Sequence, residues 1–109
     1  MPDEKPKVKR GYQIGDRVGA IMSADKDEVR IFGYGQYMGE EVPPPEITMF
    51  GLSLAAMGHT NPKILLDSGK VVWGCECWWG PEDQVKASVH DRKVMEFDIE
   101  QERVKAKAG

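Results

Sequence analysis

"VVWGCECWWG", residues 71–80, holds three tryptophans and both cysteines of the chain within ten positions. How this stretch is read decides the fold. As a strand it has two faces, because successive side chains alternate. Val71, Trp73, Cys75, Cys77 and Trp79 then share one face, and Val72, Gly74, Glu76 and Trp78 the other. The first face is continuously apolar and belongs inside. The second shows Glu76 beside Trp78, with Gly74 leaving a gap, a shape suited either to a shallow ligand shelf or to packing under another segment. Upstream, "KILLDSGKVV" reads as a hairpin, since Gly69 supplies the positive φ of a tight reversal. Strand 63–67 is therefore expected to pair with strand 70–79.

The cysteines invite three chemical readings. A zinc site needs four ligands, and beyond Cys75 and Cys77 only His59 and His90 remain, both in expected loops. A nucleophilic thiol needs a neighbouring base or positive charge, whereas Glu76 would raise a thiol pKa. A disulfide between residues two apart on one strand is disfavoured. The expectation is small buried bulk, with no metal and no cofactor.

Composition sets the wider bounds. The chain has 109 residues, 40% of them hydrophobic and 30% charged, as in one soluble globular domain. The net charge is −3 and the isoelectric point about 5.4, which argues against general nucleic-acid binding. No apolar run is long enough to span a bilayer, and "MPDEKPKVKR" lacks the apolar stretch of a signal peptide. A cytoplasmic location without membrane association is expected.

Residues 1–12 read as a disordered tail, in which Lys5, Lys7, Lys9 and Arg10 are diluted by Asp3 and Glu4. From residue 13 to 99 a single domain is expected. "DRVGAIMSA" alternates Val18, Ala20 and Met22 against Arg17, Gly19 and Ile21, with apolar groups on both faces. "DKDE" at 25–28 turns the chain into "VRIFGYG", which puts Arg30 and Phe32 on an outer side. Residues 36–62 form a long insertion. Its prolines at 43–45 forbid a central strand, and Ile47, Phe50, Leu54 and Met57 have the spacing of a short helix. With Met49 and Leu52 they exceed what a small domain covers, so this insertion should fold onto its own sheet or a second copy. "GPEDQV" carries helix-start signals. "KVMEFDI" reads as a last strand with Met95, Phe97 and Ile99 inward, and residues 100–109 as a short helix or tail.

The order of hairpin, insertion, hairpin, helical turn and last strand resembles an SH3-like small β-barrel of five strands. "GDRVGAI" and "LDSGKVVWG" carry the resemblance, which covers roughly residues 15–35 and 63–99. It implies a mainly β fold with a helical turn before the last strand. It also implies a partner groove formed by the aromatics of the first long loop and the face near that turn. In this chain these would be Tyr34, Tyr37, Glu40 and Glu41 of "GYGQYMGEE", together with Glu76 and Trp78. The tyrosines have another reading, as caps on the barrel end. "GYGQYMG" is no phosphate cradle, because no Lys-Ser or Lys-Thr follows and two glutamates would repel phosphate.

Function follows as an expectation. The first reading is a non-catalytic interaction module that self-associates or binds a protein segment through residues 34–57 and the adjacent aromatic face. The alternative is a binder of a cationic or aromatic small molecule, using Trp78, Glu76 and an arginine such as Arg30. No pair of acids or bases sits at a spacing that forces convergence, and no nucleophile elbow is present. Catalysis is not expected.

Overall fold

The computed structural model describes residues 12–49 and 52–108. The expected tail therefore lies outside the described residues except for Tyr12, as does Phe50.

The chain begins with an antiparallel hairpin, β1 (Arg17–Ala24) and β2 (Glu28–Glu41). Its turn is closed by Asp25, whose carboxylate accepts the backbone N–H groups of Asp27 and Glu28 at 2.9 and 2.8 Å. These bonds hold the Asp25 carboxyl below its usual range, with Arg30 adding to the effect. The alternation read from β1 holds. Val18 and Ala20 are fully buried on one side, where Met22 joins them; Ile21 packs on the other side with Val29, Ile31 and Val89. Both faces of this hairpin are covered, as a strand with apolar residues at every position requires. Phe32 differs from expectation, since it lies in the main core with Val18, Ile64 and Val72. Val29 and Ile31 pack in the second cluster, so alternation puts Phe32 on the opposite side, and that side is the main core rather than solvent.

β2 is longer than expected and runs through most of the "GYGQYMGEE" segment. After Pro43, which is fully buried, the chain forms a minimal ribbon of β3 (Thr48–Met49) and β4 (Leu52–Ser53) and a single turn, α1 (Leu54–Met57). The helix expected across 47–57 is reduced to that last turn. Ile47 is buried within the chain itself, whereas Met57 is exposed.

β5 (Asn61–Leu66) and β6 (Val71–Trp73) form the second hairpin, closed at Gly69 with φ +96°. β7 (Trp78–Pro81) pairs with β1, α2 (Glu82–Ser88) follows directly, and β8 (Lys93–Glu96) pairs in parallel with the start of β2. α3 (Ile99–Ala108) ends the described chain, so residues 100–108 are helical. The sheet order is β6-β5-β2-β1-β7, with β8 on β2. The sheet is antiparallel apart from β8 and is not closed: β6 and β7, its end strands, are not paired with each other. The closed five-stranded barrel is thus corrected to an open, mainly β sheet. The expected last strand is corrected too. β8 leaves all four residues exposed, and only Phe97 and Ile99 beyond it reach the core.

β2 and β5 approach closely at Gly35. A Cβ there would lie 2.1 Å from the Leu65 carbonyl oxygen and 2.6 Å from Leu66 Cα, both backbone atoms that cannot move without breaking the pair. Gly80 has nothing within 4 Å of that position. Gly35→Ala is expected to lower unfolding free energy by about 3 kcal/mol or prevent folding, and Gly80→Ala to change it by less than about 1 kcal/mol. Urea denaturation followed by tryptophan fluorescence measures both.

Candidate functional site

The tryptophan segment does not remain one strand. Alternation holds through β6, where Lys63, Ile64 and Leu65 face Trp73, Val72 and Val71, but Val72, from the face expected outside, is the residue that enters the main core. Gly74–Glu76 then forms a single 3-10 turn, and the chain re-enters the sheet as β7 at its opposite end. The turn resets the side-chain phase, so the two faces expected over 71–79 do not persist. Trp73 is buried and Trp79 packs against the main core. Trp78 is left 76% exposed.

The turn is pinned from inside the molecule. The Glu76 carboxylate accepts the Trp73 backbone N–H at 3.0 Å, and Nε and Nη2 of Arg103, each at 2.7 Å. Arg103 Nη2 also donates to the Val71 carbonyl at 2.8 Å, which ties α3 to the outer edge of β6. Glu76 is therefore no open carboxylate on a shelf. It is mostly covered and already paired with a guanidinium. Nothing in the local sequence signals Arg103, which comes from the segment read only as helix or tail.

Beside Trp78 lies a cavity of about 350 Å³ lined by Met22, Cys75, Glu76, Cys77 and Trp78. Both cysteines are free thiols. Burial and the Glu76 carboxylate raise both pKa values, and Cys77 is pushed up to about 12. Its Sγ lies 3.6 Å from the Trp73 carbonyl oxygen. At neutral pH both groups are thiols and line the cavity as soft apolar surface. Among the described residues no group of three or more His, Cys, Asp or Glu side chains is placed to hold a metal ion.

The remaining expected site residues separate. Tyr37 is buried and stacks on Trp79, with ring centroids 5.7 Å apart and planes at 7°. Tyr12 tilts against both rings at 5.8 and 4.8 Å. The Tyr37 hydroxyl donates to Glu40 at 3.3 Å, and Glu41 pairs with Lys63 at 3.4 Å. Tyr34, three residues earlier on the strand, faces the opposite side. It packs there with the Val29, Ile31 and Val89 cluster, and Lys86 Nζ sits 5.2 Å from its ring centroid. The fold thus joins Tyr37 to Glu40, and Glu76 to Trp78, but does not bring the two tyrosines together. Arg30 is engaged by Ser23, Glu28 and Asp25.

A larger cavity of about 540 Å³ lies between residues 44–47, the β5–β6 hairpin and α3. Its three cations are already paired: Lys63 with Glu41, Lys70 with Asp98 and Glu100, and Arg103 with Glu76. No protein-family model matches the chain, and comparison with curated proteins and with solved structures gave no match.

The thiols give a direct test of this geometry. At pH 8 to 9, Cys77 in the folded protein is expected to resist iodoacetamide, because its pKa near 12 lies well above the ordinary thiol value of 9.0. Denatured protein should alkylate at both cysteines. Because the folded state retains the proton longer, stability should fall as pH rises from about 9 toward 12. Peptide mass mapping after timed alkylation reads the first effect, and urea midpoints at alkaline pH the second.

Proposed function

We propose that this chain is a non-catalytic interaction module that docks a short protein segment with a bulky apolar side chain on the face around Trp78. The observation that carries this reading is an indole 76% exposed beside a cavity lined by Met22, Cys75 and Cys77. Large aromatics at the centre of a patch dominate binding when a partner desolvates them. The neutralisation of Glu76 by Arg103 removes the carboxylate a cationic small molecule would need, which favours an apolar anchor. Residues 42–47 have part of their apolar surface covered already by the chain's own Pro43 and Ile47 burial, and this moves the proposed contact from residues 34–57 to β7.

The strand order is a second support. β1, β2, β5 and β6 form a meander in which consecutive members pair, and β7 returns to pair with β1 rather than with β6. A single 3-10 turn precedes the fifth strand. An SH3-like architecture has this arrangement, here left open and extended by α2 and β8. The Trp78 face adjoins the turn, where partners of such modules bind.

Panning a displayed random-peptide library against the protein tests the proposal. The expected result is a consensus with a large apolar residue whose peptides bind the wild type roughly tenfold or more tightly than Trp78→Ala. The variant should keep the wild-type unfolding midpoint, because the side chain it removes is mostly in solvent. Absence of a consensus, or equal binding to the variant, overturns the reading.

A further inference from the structure

We infer that a second copy of this chain pairs with β8, antiparallel and centred on Val94, to make a two-fold dimer with one continuous sheet across both protomers. This surface is separate from the Trp78 face, and the inference does not rest on the function proposed above.

The edge is open, and its polarity is fixed by the backbone bonds. Lys93 N–H donates to Asp27 O at 3.0 Å, and Phe97 N–H donates to Ile31 O at 2.8 Å. Residues 93, 95 and 97 therefore turn their peptide groups toward β2. Val94 and Glu96, by the two-residue period, turn theirs outward, where no backbone partner is found among the described residues. All four residues of β8 are exposed. An unpaired edge of this kind is a template for another strand.

Register narrows the occupant. In an antiparallel pair, outward-facing residues must lie opposite outward-facing residues. The two-fold axis can then pass through 94, 95 or 96. Centring on Glu96 sets two carboxylates against each other. Centring on Met95 sets Val94 against the partner's Glu96. Centring on Val94 places Val94 on the partner's Val94, Lys93 beside the partner's Met95, and Arg92 opposite the partner's Glu96 on both sides of the axis. Only this last register is complementary in charge and in apolarity at once.

Packing on the sheet face supports the same register. In the parallel ladder Val94 neighbours Val29, which lies with Ile31 and Val89 in the second core cluster. Val29 is 1% exposed and Val94 43%. Val94 is thus the uncovered end of an apolar stripe, and its copy across the axis would cover it and join the two stripes. The contact is short, so association in the micromolar range or weaker fits it.

Sedimentation velocity over a concentration series up to high micromolar tests the inference. Wild type is expected to show a monomer–dimer equilibrium. Arg92→Glu and Glu96→Arg should each weaken it by roughly tenfold, since each sets like charges opposite one another twice. An equimolar mixture of the two variants should recover association as a heterodimer, which a merely misfolded variant cannot do. Val94→Pro should be monomeric with a folded circular-dichroism spectrum, because the N–H it removes is not used within the chain. A strictly monomeric wild type, a mixture that associates no better than either variant, or a Val94→Pro dimer would each overturn it. Peptide binding at Trp78 should survive Val94→Pro, and dimerisation should survive Trp78→Ala, so the two ideas fail separately.

Discussion

One edge of β2 serves two strands. β8 takes it in parallel along residues 28–31, and β5 takes it antiparallel from residue 35 onward. The opposite edge pairs with β1 from Val29 to Gln36. Such sharing is possible only if the ladder is interrupted between the two partners, and the interruption is built into the chain. The β1–β2 register slips after Ala20, and Gly33 takes φ +136°, a conformation that side chains resist. Gly35 then lets β5 come within contact of its backbone. Both β5 and β8 depend on this strand. β5 fixes β6, and β8 delivers Phe97 and Ile99 to the main core.

What was legible in the sequence were the features set by local chemistry. Asp25 and Gly69 marked two reversals, Pro81 with its following acids marked α2, and the alternation of Val18, Ala20 and Met22 against Arg17, Gly19 and Ile21 marked β1 as a strand with apolar groups on both faces. The illegible features were set by distant partners. The glycines of "GYGQYMGEE" look like a loop, and their strand role appears only once β5 lies against Gly35. The break at Gly74 is hidden in a run of strand-forming residues. There a Cβ would meet the Pro62 ring at 2.8 Å, and Pro62 lies a full strand away. "KVMEFDI" has clean alternation, but alternation carries no information about parallel or antiparallel pairing. Of the site, Trp78 and Glu76 were found from the sequence as neighbours, while Met22 and Arg103 required the fold.

Ion pairs in this molecule orient more than they stabilise. Arg17 bridges Asp67 and Glu82 at 2.7 Å each, which links β1, the turn at 67–69 and α2. The bond to Arg17 holds the Asp67 carboxyl below its ordinary range, and Lys86 first, then Arg17, do the same for Glu82. Solvent screens the Arg17–Asp67 pair, so it orients these elements more than it stabilises them. The Glu76–Arg103 pair is different, with side chains only 13% and 27% exposed. Removing one member of such a pair leaves a covered charge behind, a larger loss than the pair's own net worth. It also holds the 3-10 turn, and the turn determines which tryptophan faces solvent. A contact from α3 thereby sets the geometry of a face to which α3 contributes no lining residue.

The two surfaces lie on different parts of the sheet. β7 ends the strand order beyond β1, whereas β8 joins the edge of β2 that faces away from β1. A strand added at β8 extends the sheet away from β7 and would leave the Trp78 indole uncovered. A two-fold pair through β8 would then carry two identical faces on one rigid sheet. Binding at one face raises the local concentration of a linked segment at the other, so modest single-site affinity can become strong retention of a repetitive or oligomeric partner.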